Sequence, residues 1–456
     1  MKKIAILGAG ESGLQAALLA KKKGYNVFVS DNNSISSQVK ESLNSAEIPF
    51  EEKGHTWENL VDADIVVKSP GIPQTAPIIV KLRETGCEVI SEIEFAARHM
   101  EGANFIAVTG SNGKTTTTSL IAHIFRTAGW DAVESGNIGY ALSRYAQEDF
   151  RRDIYVVELS SFQLEDMPTF SPYISILLNV TPDHLDRYDY DVSKYADAKG
   201  KVFRNLSSDG LAVYFGEDQE IARLLMRNPI SAGIQTFKFY TQQPLGGDIY
   251  FATLRENDIL VVSPQGRFSF QLSELSLKGV HNYCNIMAAI AATLHAGVDL
   301  FALKEALRTF KSVPHRMEDA GTVDGVHYIN DSKATNIDAT RYALGTMKNK
   351  DIILILGGTD KGNDYTTIAE EVRRTSLGLI FMTTDHEKLE LQLGGLGIPF
   401  IVSKDVVDTV TGAQKMAKEY GAGTVLLSPC CASFDLFKNY EDRGNRFKDA
   451  VKSLIS

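Results

Sequence analysis

The chain is poor in cysteine. Its 456 residues hold four, Cys87, Cys284, Cys430 and Cys431, and none stand in C-x-x-C spacing. That excludes a disulfide framework and a cysteine-based zinc motif. It fits a reducing cytoplasm, with Cys430 and Cys431 read as small buried side chains. Long apolar runs are also missing: none approaches the ~18 residues of a membrane span, so no membrane insertion is expected. An excess of positive charge is absent too. Lys and Arg number 47 against 57 Asp and Glu, a net charge of −10. A nucleic-acid binder normally shows a basic footprint, so no nucleic-acid partner is expected. The opening MKKIAILGAGESG has a basic pair and an apolar run. The run is only IAIL before glycines and Glu11. It is too short for the core of a secretory signal and reads as a first β-strand.

What is present is the composition of a globular protein, 44% hydrophobic and 23% charged. The length predicts roughly three domains of about 150 residues. Short apolar runs alternate with helical patterns three times over: IAIL, VFVS and DIVVKS; then FIAVTG, IYVVELS and YISILLNV; then DIILILGG, LGLIFMT and GTVLLSP. Strands alternating with helices predict an α/β fold with parallel sheets. The alternation restarts near 92 and near 300, giving domains over 1–92, 93–299 and 300–456. Between Thr236 and Leu275 the runs TFKFY, DIYFATL, ILVVS and FSFQL follow without helical spacers, which predicts a small antiparallel patch.

Two glycine loops stand out. Gly8, Gly10 and Gly13 follow a strand and open a helix, and Asp31 ends the next strand. This is the arrangement in which a helix N-terminus meets a phosphate and an acid meets a ribose. Taken alone it leaves open NAD or FAD binding and a tight turn without ligand. The second loop is VTGSNGKTTTTSL, from Val108 to Leu120. A full phosphate-loop pattern would need glycine at 108. The shorter form still offers the amides of Gly110, Ser111, Asn112, Gly113 and Thr116 to phosphates, with Lys114 as a point charge and the Thr115 hydroxyl for Mg²⁺. Glu158 closes the strand IYVVE, on the edge where α/β proteins bind ligands. His184 lies between Asp183 and Asp186 at the end of the next strand. In the last third, Asn282 or Asn285 could read an adenine edge or simply cap a helix. Arg316, Asp331, Lys333, Thr335 and Lys361 cluster near strand ends. Two lysines and an arginine on one edge of an acidic protein point to a site for anionic groups.

Together these segments resemble a known family. TGSNGKT, ELSSFQLE, NVTPDHLDRY, HN-x-x-N, HR-x-E, NDSKATN, GG-x-DKG and SPCCASFDLFKNYEDRGNRF occur in the order found in the Mur ligases, over nearly the whole chain. The resemblance implies Rossmann-like N- and C-terminal domains flanking a central P-loop-type ATPase domain. It implies ATP-dependent amide-bond formation in peptidoglycan precursor synthesis, through an acyl phosphate. The forms NDSKATN and SP-x-CASFD point to members that add D-glutamate to UDP-N-acetylmuramoyl-L-alanine, with another amino acid as the alternative. The cofactors implied are ATP and two Mg²⁺ ions, and a monomer is expected.

By the same resemblance, Lys114 and Thr115 serve the ATP phosphates and Mg²⁺, and Glu158 and His184 a second Mg²⁺. Asn285, Arg316 and Asp331 hold adenine, phosphate and ribose. Ser12, Asp31 and Gly71 line the uridine diphosphate pocket, and Asn137 and His184 contact the muramoyl substrate. Lys333, Thr335, Lys361, Ser433 and Tyr440 match the D-glutamate site, with Lys333 also counted as catalytic. Lys199, in YADAKG, matches a lysine carbamylated by CO₂; on composition alone it reads as a solvated helix lysine. Two positions depart from the family pattern. Asn33 stands where an arginine near the uridine occurs in some members, and Tyr440 where phenylalanine is common. An NAD-dependent oxidoreductase would leave the Gly-Lys-Thr loop and NDSKATN unexplained. A folate ligase would not need the N-terminal domain. A nucleotide-gated binding module without chemistry is the remaining rival.

Overall fold

The structure, a computed structural model, describes residues 2–454 apart from Leu245, Ser312, Val313 and Lys361. It divides into two compact units, Met1–Phe310 and Lys311–Ser456.

The first unit contains two sheets. The N-terminal one holds β1 (Lys3–Leu7), β2 (Asn26–Ser30), β3 (Phe50–Glu51), β4 (Ile65–Lys68) and β5 (Glu88–Ser91), in the order β3-β2-β1-β4-β5. Every pairing in it is parallel. The order reverses between β1 and β4, so the C-terminal ends of these two strands flank the crevice where such sheets take ligands. Gly13, in the helix Glu11–Lys22, lets that helix sit against the first turn. A Cβ added there would lie 1.9 Å from the Gly8 carbonyl oxygen.

The central sheet has nine strands. In chain order they are β6 (Phe105–Thr109), β7 (Ala132–Gly136), β8 (Ile154–Glu158), β9 (Ile174–Leu177), β10 (Leu211–Phe215), β11 (Gln235–Tyr240), β12 (Phe251–Leu254), β13 (Asp258–Ser263) and β14 (Gly266–Gln271). They lie in the order β14-β13-β12-β11-β10-β9-β6-β8-β7. β6, β8 and β9 are wholly buried, as helix-covered parallel strands must be. The antiparallel patch expected over 236–275 is real for β12, β13 and β14, and it forms the edge of this sheet. TFKFY differs. β11 pairs parallel with both β10 and β12, and among the described residues between Tyr240 and Phe251 no helix makes the crossover. The helix Leu300–Thr309 belongs with this unit: His123 of the helix Lys114–Thr127 meets Thr309 at 3.2 Å and the Phe310 ring at 5.5 Å.

The second unit carries β15 (Glu318–Val323), β16 (Val326–Asn330), β17 (Ile352–Leu356), β18 (Ser376–Met382), β19 (Phe400–Ser403) and β20 (Thr424–Leu427), in the order β15-β16-β20-β17-β18-β19. The β15–β16 hairpin is antiparallel and the other pairings parallel. Cys430 and Cys431 are buried free thiols, as the sequence predicts. Among the described residues no helix is long and apolar enough to cross a membrane.

The glycine loop gives a sharp test of packing. Gly13→Ala should destabilise the protein by about 1–3 kcal/mol, because its methyl meets backbone and not a movable side chain. Gly10→Ala, whose Cβ meets nothing within 4 Å and whose φ is −71°, should change stability little. Urea melts of both variants that shift equally would contradict this reading of the loop.

Candidate functional site

The phosphate loop leaves β6 and turns into the helix Lys114–Thr127. Gly110 and Gly113 have φ of +151° and +85°, conformations that glycine reaches without strain. A side chain at Gly113 would place its Cβ 2.3 Å from Asn285 Oδ1, so Asn285 lies directly against the loop. The loop is held from beneath by Asn179, just past β9. Its Oδ1 accepts from the Asn112 amide at 2.9 Å, and its Nδ2 donates to the Asn112 carbonyl at 3.0 Å. Ser111 Oγ donates to the Thr181 carbonyl at 2.8 Å. Side chains beneath the loop therefore hold its backbone in shape. Thr115 and Thr116, at the start of the helix, are buried.

Two lysines share one acceptor. Lys114 Nζ donates to the Gly110 carbonyl at 2.8 Å, and Lys199 Nζ donates to the same oxygen at 2.9 Å. Lys199 is 1% exposed, with its amine 4.5 Å from the centre of the Tyr195 ring. Two ammonium groups this close repel by about 3 kcal/mol at an effective dielectric of 20. Burial, reinforced by Lys114, holds the Lys199 amine well below its usual range, while Asp183 and Glu158 pull the other way. The solvated helix lysine that composition predicts is thus not what the fold makes of Lys199.

Glu158 ends β8 and is 1% exposed. Its Oε1 accepts from Asn137 Nδ2 at 2.9 Å, and its Oε2 is buried with no hydrogen-bond partner. A buried carboxylate oxygen left over in this way fits a cation. His184 has a left-handed backbone, φ 53°, with Nε2 3.8 Å from Asp183 Oδ2 and its ring 5.2 Å from Phe162. Among the described residues no three His, Cys, Asp or Glu side chains converge on one metal position. The oxygen and nitrogen donors of this region are the spare Glu158 oxygen, the Thr115 hydroxyl and the His184 ring. That set suits Mg²⁺, which takes few protein ligands and completes its shell with water and phosphate.

At the N-terminal loop, Asp31 works on the protein. Its Oδ2 accepts from the Ala9 amide and its Oδ1 from the Asn33 amide, both at 2.7 Å. It ties the glycine turn to the end of β2, and Asn33 takes part through its backbone. Ser12 is half-buried in the first turn of the following helix. Beside them Ser30 Oγ links Glu51 and His55 Nδ1, each at 2.7 Å, a polar group that no motif flagged.

In the second unit Asp331 is buried just past β16. It accepts from Ser428 Oγ at 2.9 Å and the Met317 amide at 3.2 Å. Burial pushes its carboxyl up to about 6, against the pull of Arg316 and Arg443. Arg316 Nε is buried without a hydrogen-bond partner. Lys333 Nζ lies 3.1 Å from the Tyr440 hydroxyl and 4.9 Å from its ring centre. The extra hydroxyl at this departure from the family pattern thus has a partner. Thr335 and Ser433 follow β16 and β20, which are neighbours in the sheet. Lys361 lies outside the described residues. Asn179, Tyr195, Ser428 and Arg443 were missed as site residues. All four nevertheless stand in segments that the sequence analysis quotes: Asn179 opens NVTPDHLDRY, Tyr195 opens YADAKG, and Ser428 and Arg443 lie in SPCCASFDLFKNYEDRGNRF.

Known proteins match this chain throughout. The family models described as MurD N-terminal domain, Mur ligase middle domain, and Mur ligase, glutamate ligase domain match residues 3–77, 108–293 and 315–431. A UDP-N-acetylmuramoylalanine--D-glutamate ligase of Bacteroides fragilis is 46% identical over 455 residues, covering 100% of both chains. One of Bacteroides thetaiotaomicron is 45% identical, again over 100% of both. Among solved structures, a UDP-N-acetylmuramate-alanine ligase of Thermotoga maritima shares the fold, with a TM-score of 0.61 at 22% identity, covering 99% of this chain and 100% of the other. With family models along its length and relatives at this identity over all of it, the chain belongs to the Mur ligase family.

Proposed function

We propose that this chain joins the carboxyl group of UDP-N-acetylmuramoyl-L-alanine to the amine of D-glutamate, consuming ATP, in peptidoglycan precursor synthesis. The observation that carries it is the cluster around Gly110: a preformed phosphate loop, two lysines on one carbonyl, and a buried glutamate with a spare oxygen. The γ-phosphoryl group passes to the alanine carboxylate, giving an acyl phosphate and ADP. The D-glutamate amine attacks the carbonyl carbon, phosphate leaves, and the amide remains. A bare carboxylate cannot be displaced, and phosphate can.

The residues divide the work. Gly110, Ser111, Asn112, Gly113 and Thr116 present the loop amides, Lys114 neutralises the moving phosphoryl group, and Asn285 lies where a base could bind. Arg316 and Asp331 are the nucleotide residues of the second unit, with Arg316 holding phosphate and Asp331 the ribose. Ser12, Asp31 and Gly71 take the uridine diphosphate end, and Asn137 and His184 the muramoyl end. Lys333, Thr335, Lys361, Ser433 and Tyr440 take D-glutamate: two cations for two carboxylates, oriented by hydroxyls because lysine is only a point charge. The three functional divisions follow 1–92, 93–299 and 300–456, with the helix Leu300–Thr309 packed on the central one, acting as a cytoplasmic monomer. Thr115 for one Mg²⁺, and Glu158, His184 and carbamylated Lys199 for a second, would hold the metal, which supplies charge neutralisation between the two anions. The carbamate forms when the neutral Lys199 amine attacks the carbon of CO₂ and releases one proton, turning a cation into a two-oxygen anion. Low amine pKa and burial beside Glu158 support that step.

Phosphate release from ATP should require both UDP-N-acetylmuramoyl-L-alanine and D-glutamate. Release with L-lysine or diaminopimelate instead would move the chain to another amino acid within the family. Lys199→Ala should lower kcat at least about a hundredfold, the scale of losing one fixed charge-stabilising group. It should remain folded, and acetate at high concentration should restore part of the activity. Full activity in the variant would exclude the carbamate.

A further inference from the structure

Arg187 ends the short turn Leu185–Arg187 that follows His184, and its side chain crosses to the N-terminal sheet. Nη1 donates to the Pro70 carbonyl at 3.0 Å and Nη2 to the Gly71 carbonyl at 2.5 Å. The next carbonyl, that of Ile72, accepts from Lys68 Nζ at 2.9 Å. Lys68 is itself buried and paired with Asp166 at 3.1 Å. Three successive carbonyls of the loop after β4 are thus gripped by two cations. The guanidinium also lies 4.3 Å over the Phe162 ring, so its position is fixed from below.

This grip has a geometric consequence. The Pro70–Gly71 peptide is trans, so its carbonyl and the Gly71 N–H point in opposite directions. Holding the Pro70 oxygen aims the Gly71 N–H away from Arg187. That N–H donates to no acceptor among the described residues. A cation on the carbonyl also polarises the peptide and makes its N–H a stronger donor. The loop lies at the C-terminal end of β4, beside the switch point of the sheet.

We propose that Arg187 is a positioning residue for the diphosphate of the sugar-nucleotide substrate, acting through the Pro70–Gly71 peptide. This rests on the reading that Gly71 lines the uridine diphosphate site. The central sheet's His184 turn and the substrate loop of the N-terminal sheet are then one device, and a nucleotide diphosphate is what the aimed amide recognises.

The test compares ligands with and without the diphosphate. For Arg187→Ala, the Kd for UDP and the KM for UDP-N-acetylmuramoyl-L-alanine should each rise about tenfold, the scale of one hydrogen bond to a charged group. Uridine binding, followed by ligand-observed NMR, and the KM values for ATP and D-glutamate should stay within about twofold. Arg187→Lys keeps the cation without the planar fork and should recover part of the loss; it is also the variant to measure if the alanine form does not fold. Equal weakening of UDP and uridine, or unchanged UDP binding, would overturn the positioning role. A wild-type protein that binds neither UDP nor the sugar nucleotide would overturn the proposed function itself.

Discussion

One main-chain oxygen organises the candidate site. The Gly110 carbonyl accepts from both Lys114 and Lys199, so the phosphate loop, its own lysine and a lysine from a distant helix meet at one atom. Two full charges there would repel each other, and Lys199, at 1% exposure, has little water to screen it. The arrangement is stable if the more buried amine gives up its proton. Burial and the neighbouring Lys114 hold the Lys199 amine well below its usual range, which favours its neutral form. Glu158, with one oxygen held by Asn137 and the other unspent, supplies the opposite demand for a cation. In the proposed function the same few atoms would serve both phosphate and metal.

The N-terminal sheet follows a related logic, with charged side chains holding backbone. Asp31 fixes the first glycine turn by accepting from Ala9 and Asn33. Arg187 and Lys68 fix the loop after β4 by its carbonyls. In both places polar side chains hold the backbone of a loop at the C-terminal end of a strand. Such preorganisation limits the entropy lost on binding.

Much of this was legible in the sequence. Gly-Ser-Asn-Gly-Lys-Thr between a strand and a helix, and Glu158 at a strand end, announce their chemistry by residue type and spacing. Asn179 holds the loop across 67 residues of chain, and Arg187 reaches back across more than a hundred. Contacts of that range leave no local pattern. Lys199 was invisible for a different reason. A lysine in a helix looks solvated until the fold shows which face is covered, and only resemblance singled it out. The parallel pairing of β11 was hidden because its crossover lacks the helix that normally signals one. Tyr440 read as a departure of unknown use, and its partner Lys333 became visible only in three dimensions.

The central claim is that Lys199 is neutral and takes up CO₂ in the working protein. Carbon-13 NMR of the protein equilibrated with labelled bicarbonate tests it most directly. The account predicts a carbamate resonance in the wild-type protein that strengthens with Mg²⁺ and is absent from Lys199→Ala. A wild-type spectrum without that resonance, or one that persists unchanged in the variant, would contradict it.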